Sequence, residues 1–238
     1  MTNYSNYEIN NTDPSDKKRY VRSMFDSIVP TYDLLNRVLS GGIDNFWRKD
    51  LVRLIDGAGS KRTLDICCGT GDLTRQLVKG GAELFSLDFS FNMLKKGVEK
   101  GWLSGENISA DAGKLPFKNE SFDFLTIAFG IRNIPDVDVF LSESLRTLKP
   151  GGKLLILELT RPDNPVVNFF YNLYLTKILP FIGGILSGKR EAYGYLAGSI
   201  STFLDRDTLI ERIHAAGFSM VDYKRKTFGV ATIYICCK

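Results

Sequence analysis

Two glycines and three aspartates carry the chemistry that the types and spacing of residues in this 238-residue chain suggest. The run TLDICCGTGDLT, from Thr63 to Thr74, is an apolar stretch that ends in Gly69, Thr70, Gly71 and Asp72. In an open α/β sheet a ligand binds beyond the carboxyl ends of the strands, and a bare glycine backbone lets it approach closely. A dinucleotide fingerprint would need a third glycine at the position of Thr74, and the lysine of a Walker loop is absent. Asp72 is expected at the start of the next helix, where its carboxylate would take the unpaired N–H groups and repel a phosphate. The turn therefore suits a ligand with a cationic end, such as the amino acid portion of S-adenosyl-L-methionine. Asp88 ends the run ELFSLD, where an acid can grip ribose hydroxyls, and Asp111 with Ala112 in ISADAGKLPF can meet an adenine. A strand-end aspartate is often only a turn former, and a nucleoside site for another cofactor stays open. Three such acids beside one glycine turn are what mark the region.

These residues need a sheet to carry them. From Arg62 strands and helices alternate: TLDICC, a helix over 72–78, ELFSLD, a helix over 91–100, and a weaker strand over 107–110. FDFLTIAF, a helix over 137–148 and KLLILEL follow. The alternation predicts a parallel sheet with helices on both faces. The closing runs MVDYKRKTF and VATIYICC are split by little more than a glycine and suit an antiparallel pair at the sheet edge. Residues 1–16 read as a disordered tail, and 17–238 as one domain. Within it, 17–60 form a helical lobe, and the aromatic, glycine-rich stretch 165–200 is a helical insertion that covers the substrate.

Composition narrows the classes. Apolar residues make up 44% and charged residues 24%, ordinary values for a globular protein. A net charge of +4 without a dense basic stripe argues against nucleic acid as partner. The N-terminus lacks an apolar signal core and no apolar run reaches about 18 residues, so a cytoplasmic protein is expected. The adjacent pairs Cys67–Cys68 and Cys236–Cys237 lack the spacer of a zinc site, so they read as small buried hydrophobes and no metal is expected. His214, the single histidine, is read as structural.

Longer motifs add a family. The segment FDSIVPTYDLLNRVLSGGIDNFWR, the turn CGTGDLT, AFGIRNIPD, LRTLKPGGKLLILEL, YGYLAGSI and FLDRDTLIERIHAAGF together resemble the ubiquinone/menaquinone biosynthesis C-methyltransferases. The resemblance covers nearly the whole chain from Tyr20. It implies a Rossmann-like α/β fold of the class I S-adenosylmethionine-dependent methyltransferases, with a mostly parallel seven-stranded sheet and an antiparallel last strand. It implies methyl transfer to a ring carbon of a prenylated quinol; demethylmenaquinol, a ubiquinone precursor or both remain open as acceptors. A non-catalytic scaffold of a quinone-synthesis complex is the alternative from another class.

By the same resemblance Gly69, Thr70, Gly71, Asp88, Asp111 and Ala112 hold the cofactor. Tyr32, Asp33 and Tyr193 meet the substrate, and Arg132 and Asn133 of FGIRN are catalytic. Arginine does not readily lose a proton, so Arg132 is expected to stabilise a quinolate oxygen and order a water, with Asp33 as candidate proton acceptor. Three positions depart from the pattern: Asp44 stands where histidine is usual, Gly198 where glutamate is common, and Ala128 where serine is frequent. The isoprenoid tail of such a substrate must leave the lipid phase. The aromatics Phe169, Phe170, Tyr171, Tyr174, Phe181 and Tyr193 could line its path. Lys189–Arg190 and Lys224–Arg225–Lys226 could meet an anionic membrane surface at its inner face. A covering lobe with ordinary core aromatics and a solvated charge run is the plainer alternative, and a homodimer is allowed.

Overall fold

The computed structural model of the chain describes residues 13–55, 61–79, 81, 83–187 and 190–238. Seven strands form one sheet in the order β3-β2-β1-β4-β5-β7-β6. They are β1 (Arg62–Ile66), β2 (Glu83–Asp88), β3 (Glu106–Ser109), β4 (Phe122–Ala128), β5 (Leu148–Leu159), β6 (Met220–Lys226) and β7 (Ala231–Cys237). Five neighbouring strands pair in parallel, while β7 runs antiparallel to both β5 and β6. The central strands β1, β4 and β5 are buried nearly throughout, as continuous apolar runs covered on both faces require.

One face packs against α6 (Val137–Thr147) and α10 (Arg206–Ala215), in a core that includes Leu64, Phe122, Phe140, Leu209 and Tyr234. The other packs against α3 (Asp44–Val52) and α4 (Thr74–Val78) through Trp47, Leu51, Leu73 and Leu77. The helix α5 (Phe91–Glu99) follows β2, capped by Ser90, whose hydroxyl accepts from the N–H of Met93 at 3.2 Å.

The N-terminal lobe differs from its sequence expectation in two ways. Its first helix, α1 (Pro14–Ile28), starts inside the stretch 1–16 read as tail. Asp13 caps it by accepting from the N–H of Ser15 at 2.7 Å, and Pro14 occupies the first turn, where its missing N–H costs nothing. The remaining tail, 1–12, lies outside the described residues. A separate helix, α2 (Tyr32–Leu39), then follows Pro30. Val21, Met24 and Ile28, at helical spacing, bury one stripe of α1 against Met93 and Tyr195.

The insertion is helical, as expected. It comprises α7 (Pro165–Leu173), a π-helical turn (Tyr174–Ile178), α8 (Leu179–Ser187) and α9 (Arg190–Thr202). Together α1, α2, α3 and the insertion roof the carboxyl ends of the strands. Among the described residues no helix is long and apolar enough to cross a membrane.

Candidate functional site

The glycine turn leaves β1 through Cys67, whose φ of 54° is unusual for a residue with a side chain. Gly71 has φ 91°, and a Cβ there would come 2.8 Å from Leu103 Cδ2, so the position admits only glycine. Asp88 braces the turn from β2. Its Oδ2 accepts from the N–H of Gly69 and its Oδ1 from the N–H of Ser90, both at 2.8 Å. Burial raises its carboxyl to about 6 despite those two bonds. A second acid, Asp65, lies fully inside β1 and accepts from the hydroxyls of Thr74 at 2.7 Å and Thr126 at 2.9 Å. Burial raises it, too, to about 6.

Asp72 does not act as the sequence suggested. The helix begins two residues later, at Thr74, and Asp72 gives its N-terminus no side-chain cap. Instead its Oδ1 lies 3.1 Å from Arg75 Nη2 and 3.6 Å from Arg37 Nη2. Two guanidinium groups thus neutralise the acid that was to repel phosphate.

The nucleoside end is narrow. A cleft of roughly 40 Å³ is lined by Lys18, Phe89, Asp111, Ala112, Asn133 and Pro135, among others. Asp111 Oδ1 accepts from the N–H of Gly113 at 2.9 Å, while its Oδ2 takes the Lys18 ammonium at 2.5 Å. Burial pushes the Asp111 carboxyl up, but Lys18 and the Gly113 N–H outweigh it and hold it below the usual range. The donor set fits S-adenosylmethionine: an acid at the end of β2 for a ribose diol, and an acid with apolar walls for an adenine. Lys18, paired with Asp111, stands at the wall of this cleft.

Beyond the turn lies a different chamber, a cavity of roughly 260 Å³ with mostly apolar walls. Its lining includes Trp47, Phe129, Tyr171, Tyr174, Leu175 and Tyr195, with Arg48 and Arg132 as the cations. Arg132 sits in a 3-10 turn after β4. Its Nη1 donates to Glu158 Oε1 at 2.6 Å and to the carbonyl of Phe129 at 2.8 Å. Burial opposes its charge, but the fully buried Glu158 more than compensates and raises the guanidinium above its ordinary value. Among the described residues, two buried donors on residues that line this chamber, Arg132 Nε and the Tyr171 hydroxyl, have no hydrogen-bond partner. Burial pushes the Tyr171 phenol up, so it stays protonated and able to donate. Phe129, held between these groups, has φ 60°, strain that marks functional sites.

Most of the residues singled out in the sequence converge here. Gly69, Thr70, Gly71, Asp88, Asp111 and Ala112 stand at the ends of β1 to β3, and Tyr32 lines both the turn cleft and the apolar cavity. Asn133 lies on the nucleoside side, where its Oδ1 accepts from the Tyr195 hydroxyl at 2.9 Å. Asp33 points elsewhere. It accepts from the Thr70 hydroxyl and from Lys100 Nζ, each at 2.5 Å, so it fastens α2 to the turn and is not placed to take a proton in the cavity. The side chain of Tyr193 lies outside the described residues. His214 is exposed on α10, with Nδ1 3.3 Å from the Phe218 carbonyl.

Four participants went unnoticed in the sequence: Lys18, Arg48, Asp65 and Glu158. The two acids had a signal, since each is the one acid in a central strand and is flanked there by buried apolar residues, where burial demands a partner. Lys18 and Arg48 had none.

The comparisons follow from this geometry. The sequence model of the ubiE/COQ5 methyltransferase family matches residues 12–238. A ubiquinone/menaquinone biosynthesis C-methyltransferase of Saccharophagus degradans is 39% identical, covering 98% of this chain and 96% of its own. A mitochondrial 2-methoxy-6-polyprenyl-1,4-benzoquinol methylase of Dictyostelium discoideum is 34% identical, over 92% and 81%. Among solved structures, a SAM-dependent methyltransferase of Thermotoga maritima superposes with a TM-score of 0.67 at 18% identity, over 91% of this chain and 99% of that one. This last likeness speaks for the fold.

Proposed function

The chain belongs to the ubiE/COQ5 methyltransferase family and is an S-adenosylmethionine-dependent methyltransferase, and from that premise we propose that it methylates a ring carbon of a prenylated quinol. The apolar cavity with two orphaned donors carries this reading. A buried donor without a partner costs about 1–3 kcal/mol, which an oxygen-bearing aromatic ligand would recover.

Bound at the glycine turn, S-adenosylmethionine supplies a methyl group on a sulfonium. The protein's own part is positioning and charge. Tyr171 and Arg132, which both line the cavity, would donate to a ring oxygen, and the guanidinium would hold that oxygen as an anion, which raises electron density at the neighbouring carbon. Glu158 keeps Arg132 charged and fixed. Tyr195 and Asn133 tie the wall of the acceptor cavity to the wall of the nucleoside cleft. The apolar lining excludes water and strengthens these interactions. Since Asp33 is engaged at Thr70, the hydroxyl proton leaves through water ordered at Arg132.

Demethylmenaquinol is the first acceptor we propose, because walls of Trp47, Phe129, Tyr171, Tyr174 and Tyr195 favour a fused bicyclic ring. The methoxylated benzoquinol is the second, since relatives are named for both branches. Incubating the protein with labelled methyl donor and each reduced headgroup tests both. Transfer to neither, with the cofactor bound, would overturn the reading.

The tail would reach the site from a membrane surface. Val166, Phe169, Phe170 and Leu173 recur at helical spacing along α7 and are 65%, 66%, 62% and 43% exposed. That apolar face adjoins Tyr171 and Tyr174 of the cavity. The basic run contributes less than expected, because Arg225 pairs with Asp163 and Lys226 with Asp50, each at 2.6 Å. Lys189 and the side chain of Arg190 lie outside the described residues. Flotation with neutral vesicles, abolished by Phe169→Ser with Phe170→Ser, is the expected behaviour of a surface that docks through apolar contacts.

A further inference from the structure

We propose that the cavity grips its acceptor by two ring oxygens, one at Arg132 with Tyr171 and the other at Arg48, and so selects a para-diol over a ring with one hydroxyl. This rests on the quinol reading above.

Arg48 is only 5% exposed, yet it lines both the apolar cavity and the cleft at the glycine turn. It therefore lies at the ring end of the chamber and not along the tail path. Asp44, one helical turn earlier on α3 and 6% exposed, accepts from Arg48 Nη1, and its other oxygen accepts from the Ser40 hydroxyl at 2.7 Å. The guanidinium carbon of Arg48 sits 4.9 Å from the centre of the Phe129 ring. Arg132 holds the carbonyl of that same residue. Two guanidinium groups, each carried by its own buried carboxylate, thus meet at Phe129, one over the ring and one at the backbone.

A buried ion pair is a poor way to stabilise a wall, since well-packed apolar side chains of similar volume do as well or better. Its place in an otherwise apolar cavity calls for a ligand. Arg48 has five N–H donors, and among the described residues Asp44 engages one. The rest can bind an oxygen. The pair exists in this chain because Asp44 replaces the histidine of the resembling signature. Asp44 is a positioning residue here: it holds Arg48 over the Phe129 ring without being required to touch the acceptor.

Trp47 lines the cavity, so its fluorescence reports ligands. In a Trp102→Phe background, anaerobic titration compares naphthalene-1,4-diol with 1-naphthol. The wild-type cavity should bind the diol about 10- to 100-fold more tightly, the range of a hydrogen bond to a charged group. Arg48→Met should abolish that preference by weakening the diol alone, and Arg48→Lys should restore part of it. If Arg48→Met fails to fold, the double variant Asp44→Asn/Arg48→Gln keeps the polar pair without charge and carries the same expectation. Equal binding of diol and mono-ol by wild type, or equal weakening of both by either variant, would overturn the proposal. Methyl transfer to a quinol by wild type, measured alongside, reports separately on the function: its absence sinks the quinol reading, whereas transfer without diol preference sinks only this inference.

Discussion

The donor crevice and the acceptor cavity stand side by side under one roof and solve opposite problems. In the crevice the acids are already engaged: Asp88 by backbone N–H groups, Asp65 by two hydroxyls, Asp72 by two arginines, Asp111 by Lys18 and Asp33 by Lys100. In the walls of the cavity, among the described residues, two buried donors have no partner. A ligand must displace existing bonds in the first chamber and completes missing ones in the second. Binding at the turn should therefore respond to the strength of the protein's internal pairs, and binding in the cavity to the oxygens the ligand brings.

Loss of Arg132 should cause the largest effect. Arg132→Ala strands Glu158, fully buried, and should destabilise the fold by about 3–5 kcal/mol in urea melts. The double variant Arg132→Gln/Glu158→Gln should recover most of that stability, retain cofactor binding by calorimetry, and still lose turnover by roughly 100-fold. Normal turnover in it would remove Arg132 from the chemistry.

Asp65 tests the crevice. Its folded carboxyl is raised from 3.8 to about 6, so the folded chain holds that proton more tightly than the unfolded one. The stability it contributes is complete below about pH 4 and lost as pH rises through about 6, on the order of 3 kcal/mol at 1.36 kcal/mol per unit. Asp65→Asn should flatten stability against pH in that window relative to wild type. A parallel pair of curves would show that the folded chain holds the Asp65 proton no more tightly than the unfolded one.

Tyr171→Phe removes an orphaned hydroxyl, so it should leave stability unchanged or improve it, while lowering kcat/KM about 10-fold for the loss of about 1.4 kcal/mol. The smallest effect belongs to Lys18→Ala. The pair it breaks is partly exposed and contributes little to stability. Freeing Asp111 should speed cofactor association a few-fold in stopped-flow fluorescence. Slower association would mean that Lys18 guides the ligand in and does not bar it.

How legible was all this in the residues? The strands were, because TLDICC, FDFLTIAF and KLLILEL are buried on both faces and so read as unbroken apolar runs. Asp88 and Asp111 were, because each ends a strand beside a turn. Asp72 misled, since its partner Arg37 lies on another helix and only the fold brings the two together. Asp33 misled for the same reason, with Lys100 as the distant partner. Arg48 was invisible because a cation next to an aromatic in an amphipathic helix looks like surface until the cavity beside it is seen. Sequence pattern reports which face of an element is buried, whereas the pairing of charges across elements is a tertiary fact.

Trp47 Nε1 donates to the hydroxyl of Thr227 at 3.0 Å, and the cavity wall runs from Met24 to Val230. The chamber therefore cannot close until the chain through Val230 has been made and β7 has come to lie between β5 and β6. A chain halted before that point would already hold its glycine turn, but would leave its aromatic roof as bare hydrophobic surface.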